Sequence, residues 1–197
     1  VNYMEIGLLG YYLIIANVVG FIAYGINTWL YTYTADKQID TALTIITLLG
    51  GSAGILLFML LFDRKAIKEN MMSRVFIACV FVIQVVIFLI LKGHIGDKIT
   101  LAFWTYFDQH KFLFLYLVII NFVTFAAFAV DKIAALENKY RIRIVTLLGL
   151  AFIGGSLGAL IAMYLLRHKI RIDYFTVGIP LIIIMQIVLT FYLMNAA

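Results

Sequence analysis

The chain contains itself twice, and any fold it adopts must build one unit two times over. Shifted by 104 positions, Tyr12, Leu13, Asn17, Val19, Phe21 and Ala23 fall on Tyr116, Leu117, Asn121, Val123, Phe125 and Ala127. Without a gap, Gly50, Gly51, Ser52, Gly54 and Lys65 fall on Gly154, Gly155, Ser156, Gly158 and Lys169. Each copy carries three apolar stretches near the length of a membrane-crossing helix, and an odd number of crossings inserts the second copy upside down. The expected fold is all-α: a polytopic transmembrane bundle of six helices arranged as two inverted three-helix repeats, 1–91 and 112–197, joined by 92–111.

Hydrophobic residues make up 65% of the 197 and charged residues 13%. Soluble domains hold about 45–50% and about 25%, so the chain is read as an integral membrane protein. Stretches of about 20 apolar residues span a hydrocarbon core of roughly 30 Å as helix. They are placed at 6–30, 41–62, 75–91, 112–134, 144–166 and 175–194. Trp29, Tyr31, Tyr33, Trp104 and Tyr106 sit near their ends, where amphipathic rings favour the headgroup layer. The apolar stretch 99–107 is too short to cross and is expected to lie along the interface. Counted over six crossings, the 15 Lys and Arg divide eight against seven between the two faces. That split gives the positive-inside rule almost nothing to read.

The strongest motif is Gly50-Gly51-Ser52-Ala53-Gly54, repeated as Gly154-Gly155-Ser156-Leu157-Gly158, near the middle of spans two and five. Glycines four apart share a helix face and let another backbone come close. Doubled glycine next to serine also favours a break in the helix, which would offer backbone groups to a solute. Asn17 and Asn121 are lone amides in apolar helices, where an unsatisfied polar group costs several kcal/mol. They are expected to face the interior, as interhelical hydrogen bonds or as ligands flanking a polar track. Phe21 and Tyr24 follow Asn17, and Phe125 and Phe128 follow Asn121, at i+4 and i+7 on the same face.

Charge enters the second copy at Asp131-Lys132, where the first has Asn27-Thr28. The cluster Arg167-His168-Lys169 follows span five, as Asp63-Arg64-Lys65 follows span two. Cations at a helix C-terminus complement its dipole and reach lipid phosphates. Asp131, Lys132, Arg167, His168 and Lys169 are therefore read as a gate or a headgroup contact. No nucleophile arrangement, paired intramembrane carboxylates or phosphate-cradling loop is present, which makes an enzyme the weaker reading. A lipid-modifying enzyme would need Asp131 and His168 within a few Å on one face. His94 and His110 lack metal-ligand spacing, and neither a metal nor a cofactor is expected.

In the second half, Asp131-Lys132, Arg141-Ile142, Gly154-Gly155-Ser156-Leu157-Gly158-Ala159, Arg167-His168-Lys169 and the stretch from Phe175 to Pro180 come in order. Over about 121–180 this resembles a small bacterial membrane family, the domain of unknown function 1294. Where that family carries Arg-Ile-Pro-Glu, this chain has Arg141-Ile142-Arg143-Ile144. The resemblance implies the fold of the segment and no activity. A looser likeness, in motif and topology only, is to small fluoride channels.

These readings converge on a multi-pass protein of a bacterial cytoplasmic membrane. The expectation is a transporter or channel moving an ion or small polar solute through a midplane site where the two repeats meet. The competing expectation is a non-transporting module for immunity, assembly or lipid organisation, in which the glycines and asparagines only pack helices. Expected partners are membrane lipids and the solute, with a homo-oligomer left open. Nucleic acid is not among them, because no basic stripe interleaves with exposed aromatics.

Overall fold

The computed structural model describes residues 7–33, 40–65, 70–94, 96 and 99–196, with side chains left aside at 31–33 and 40. The expected start of the first span at residue 6 and the rings of Tyr31 and Tyr33 lie outside this set. The described residues are helical, with no strand among them. Six stretches are long and apolar enough to cross a membrane: Leu8–Leu30, Thr41–Leu61, Met71–Leu91, Lys111–Leu136, Ile144–Leu165 and Asp173–Asn195. Their ends differ from the expected ones by a few residues. Large apolar side chains stay exposed along them, among them Ile15 (63%), Phe122 (74%) and Ile133 (53%), as lipid-facing surface requires. The protein is of the multi-pass membrane type.

The chain forms two compact units, Val1–Ala66 and Ile67–Ala197. The third span thus belongs with the C-terminal helices.

In the first unit, α1 (Leu8–Tyr33) is followed by α2 (Asp40–Ile46), a five-residue π-type turn (Thr47–Gly51) and α3 (Ser52–Leu61). The turn hinges on Gly50, at φ +107°. A glycine with positive φ behind an i→i+5 bond is a standard way to end a helix, because no Cβ opposes it. Here a second helix starts at once. Its register against α1 is fixed by Tyr12 with Leu49, Asn17 with Gly54, Phe21 with Phe58 and Tyr24 with Asp63. The partner numbers rise together, so α3 runs parallel to α1. At Gly54 the two backbones come so close that a Cβ would overlap the Asn17 carbonyl oxygen.

The second unit holds α4 (Met71–Leu91), α5 (Phe103–Gln109), α6 (Lys111–Leu136) and α7 (Ile144–Leu150). Another π-type turn (Ala151–Gly155) leads to α8 (Ser156–Leu165), α9 (Asp173–Thr176) and α10 (Gly178–Asn195). Pro180 sits in the first turn of α10, where a missing N–H costs nothing, and α9 ends just ahead of it. α4 packs along α10. At the far end of α10, Asn195 clasps the 92–111 connection: its Oδ1 accepts the Thr100 N–H (2.6 Å) and its backbone carbonyl the Gly96 N–H (2.8 Å). Within 99–107 the helix α5 has no buried residue, and Trp104 is 82% exposed. The α6–α8 pairs repeat the pattern of the first unit. Tyr116 meets Ile153, Asn121 meets Gly158 and Asp131 meets His168. α8 therefore runs parallel to α6, and the chain reverses at Gly154, where φ is +130°.

Candidate functional site

A helix that stops inside an apolar span strands backbone amides and carbonyls, and in a membrane no water takes them up. Each unit answers with side chains from the preceding helix. In the first, the Gly54 N–H donates to Asn17 Oδ1 (2.7 Å) and the Tyr12 hydroxyl to the Leu49 carbonyl (2.6 Å). Asn17 Nδ2 donates to the Leu13 carbonyl of its own helix (2.8 Å). In the second, the Gly158 N–H donates to Asn121 Oδ1 (2.7 Å) and the Tyr116 hydroxyl to the Ile153 carbonyl (2.7 Å). Asn121 Nδ2 donates to the Leu117 carbonyl (2.7 Å) and across the turn to the Gly154 carbonyl (2.9 Å).

The second turn has a further clasp. Gln186 of α10 donates through Nε2 to the Ala151 and Phe152 carbonyls (2.8 and 3.0 Å), while the Ser156 hydroxyl donates to Gln186 Oε1 (2.5 Å). Thr124 presses against Gly155, where a Cβ would overlap its hydroxyl. Sequence reasoning passed over Gln186, although it gives the same signal as the asparagines, a lone amide in an apolar span. The repeat hid it, because Val82 stands at the matching position of the first copy. Tyr12 and Tyr116 were visible as repeat landmarks, but their hydroxyls have no one-dimensional sign of where they bond.

The structure gathers Asn17, Gly50, Gly51, Ser52 and Gly54 around one turn, and Asn121, Gly154, Gly155, Ser156 and Gly158 around the other. The aromatics divide differently. Phe21 is half-buried, edge-on to Phe58 with centroids 5.1 Å apart, and Phe125 is half-buried as well. Tyr24 is buried, its hydroxyl donating to Asp63 Oδ2 (2.9 Å). Phe128 is wholly buried, edge-on to Phe175 at 5.6 Å.

The charged residues form a second centre. Asp131 is fully buried on α6. Its Oδ1 accepts the Ile142 N–H (2.9 Å), and its Oδ2 meets His168 Nε2 (2.8 Å) and Lys169 Nζ (2.7 Å). Arg167 and Lys169 both take the left-handed conformation, φ +46° and +62°, and this tight bend turns His168 and Lys169 back onto the carboxylate. Burial pushes the Lys169 pKa below its ordinary value, with Asp131 pulling the other way. The ammonium also lies 4.7 Å from the Phe175 ring centroid. Lys132 Nζ donates to the Leu166 carbonyl (2.6 Å) and caps α8, while Arg167 is exposed and joins neither. Asp131 and His168 are thus within the few Å an enzyme pair would need. The carboxylate is nonetheless buried and shared with a lysine, which fits an ion cluster better than an available base.

The family model for the protein of unknown function DUF1294 matches residues 121–175. This stretch contains Asn121, the glycine turn, Asp131, His168 and Lys169. The uncharacterized protein YsdA of Bacillus subtilis (strain 168) is 35% identical over 74 residues, which cover 83% of that protein and 38% of this chain. No solved structure matches. By these two likenesses the chain belongs to the DUF1294 family.

Proposed function

We propose that the protein is a small transporter or channel of a bacterial cytoplasmic membrane, binding an ion or small polar solute at a glycine turn. The observation that carries this reading is left-handed backbone at Gly50 and Gly154, deep inside apolar spans and ringed by amides and hydroxyls. Irregular backbone at membrane depth is tolerated only where protein buries it or a watery cavity lies alongside, and broken helices are where transporters place their sites. In this account Asn17 is the side-chain ligand in the first unit, with close backbone approach at Gly50 and Gly51 and Phe21 alongside; Asn121 is the ligand in the second, with Gly154, Gly155 and Phe125. The hydrogen-bonded clasps describe a closed state. A solute enters a turn by competing with an asparagine oxygen for the Gly54 or Gly158 N–H.

The test is flux from liposomes holding the purified protein, using potassium, sodium, chloride, fluoride and glycerol as probes. The expected result is passage of at least one probe above protein-free liposomes, changed severalfold by Asn121→Ser in protein that keeps its helical circular dichroism. Leak at the protein-free level for every probe contradicts the proposal.

That result would favour the second reading, a non-transporting membrane module. It has its own support: both Asn121 N–H groups and its oxygen find partners within the unit, as a purely structural amide would.

A further inference from the structure

One carboxylate is touched from both ends of a single apolar stretch. The Ile142 N–H, just before α7, and the His168 and Lys169 side chains, just after α8, all reach Asp131. A straight helix over the 22 residues of Ile144–Leu165 would hold its ends about 33 Å apart. The ends meet because the chain turns back at Gly154. That turn lies against Leu117 and Ile120 of α6, about 16–21 Å below Asp131 at the helical rise. This depth reaches the interior of a bilayer without crossing it. The first unit matches this at the turn and at one end: Gly50 lies against Leu13 of α1, and Asp63 beyond α3 returns to Tyr24 on the C-terminal part of α1.

We infer that 41–61 and 144–165 are re-entrant hairpins, each entering and leaving the membrane by one face, and that only α1, α4, α6 and the α9–α10 pair cross it. The basic residues supply a second, independent argument. With four crossings, the connection 92–111 lies on one face with Lys92 and Lys111, two of the 12 Lys and Arg among the described residues. The other ten fall on or beside the face where the hairpins open. The near-even split of a six-crossing count becomes the strong bias that the positive-inside rule reads. The hairpin mouths therefore open to the cytoplasm, against the anionic leaflet, and Asp131 closes the mouth of the second.

The inference concerns topology and stands whether or not a solute is moved. In a Cys79→Ala background, Tyr140→Cys, Arg171→Cys and Lys92→Cys are made singly. Each is treated with a membrane-impermeant maleimide in intact cells and in inverted membrane vesicles. Labelling of Tyr140→Cys and Arg171→Cys only in inverted vesicles, and of Lys92→Cys in intact cells, is the expected result. Labelling of the first two from opposite faces overturns the hairpin, and labelling of both in intact cells overturns the orientation.

Discussion

Asn121 joins two strands of one chain that would otherwise expose backbone to hydrocarbon. Its oxygen takes the Gly158 N–H, and its amino group reaches the Gly154 carbonyl. Asn17 makes the matching bond to Gly54, but its amino group donates within its own helix. Leaving a buried donor or acceptor unpaired costs about 1–3 kcal/mol. Asn121→Ala is thus expected to lower stability in detergent micelles by about 2–3 kcal/mol, and Asn17→Ala by less. Equal losses in denaturant titrations would show that the Gly154 bond contributes nothing. The glycines are constrained more tightly still. Gly158→Ala pushes a methyl group into the Asn121 carbonyl and must separate α6 from α8. It is expected to destabilise more than Gly149→Ala, where nothing lies within 4 Å of a new Cβ. Thermal melts of the two variants compare them directly.

At the scale of elements, each glycine turn converts one apolar stretch into two helices of opposite direction. Asp131 secures the second pair by holding the segment before α7 and the one after α8. Removing one partner of a buried ion pair strands the other, at about 3–5 kcal/mol. Asp131→Ala should therefore unfold at markedly lower denaturant, and Asp131→Asn combined with Lys169→Met should recover part of the loss. No recovery in the double variant would place the stabilisation elsewhere than in the pair. The sequence made the elements legible, since apolar runs of about 20 residues announce helices and the doubled glycines announce their breaks. It did not make the reversal legible. Hydrophobic patterning over 144–165 is the same whether the helix continues or folds in half, and the difference lies in the φ angle of Gly154. The Asp131 cluster was hidden in a similar way, because its members are 37 and 38 positions apart and only the hairpin brings them together. Gln186 escaped because its copy position holds valine.

At the scale of the whole molecule, the duplication is what the sequence declares most openly, and the offset of 104 reappears in three bonds of each clasp, those of the tyrosine hydroxyl, the asparagine oxygen and the asparagine amino group to its own helix. How often the chain crosses the lipid follows from the hairpins, and with it the orientation and the sidedness of the basic connections. The most direct test is a distance between spin labels at Tyr140→Cys and Arg171→Cys, measured by pulsed electron resonance in lipid nanodiscs on the Cys79→Ala background. Both positions lie within two residues of a group that touches Asp131, so the hairpin predicts a separation of about 20 Å or less. A separation of about 33 Å or more, the length of a continuous 22-residue helix, would contradict it.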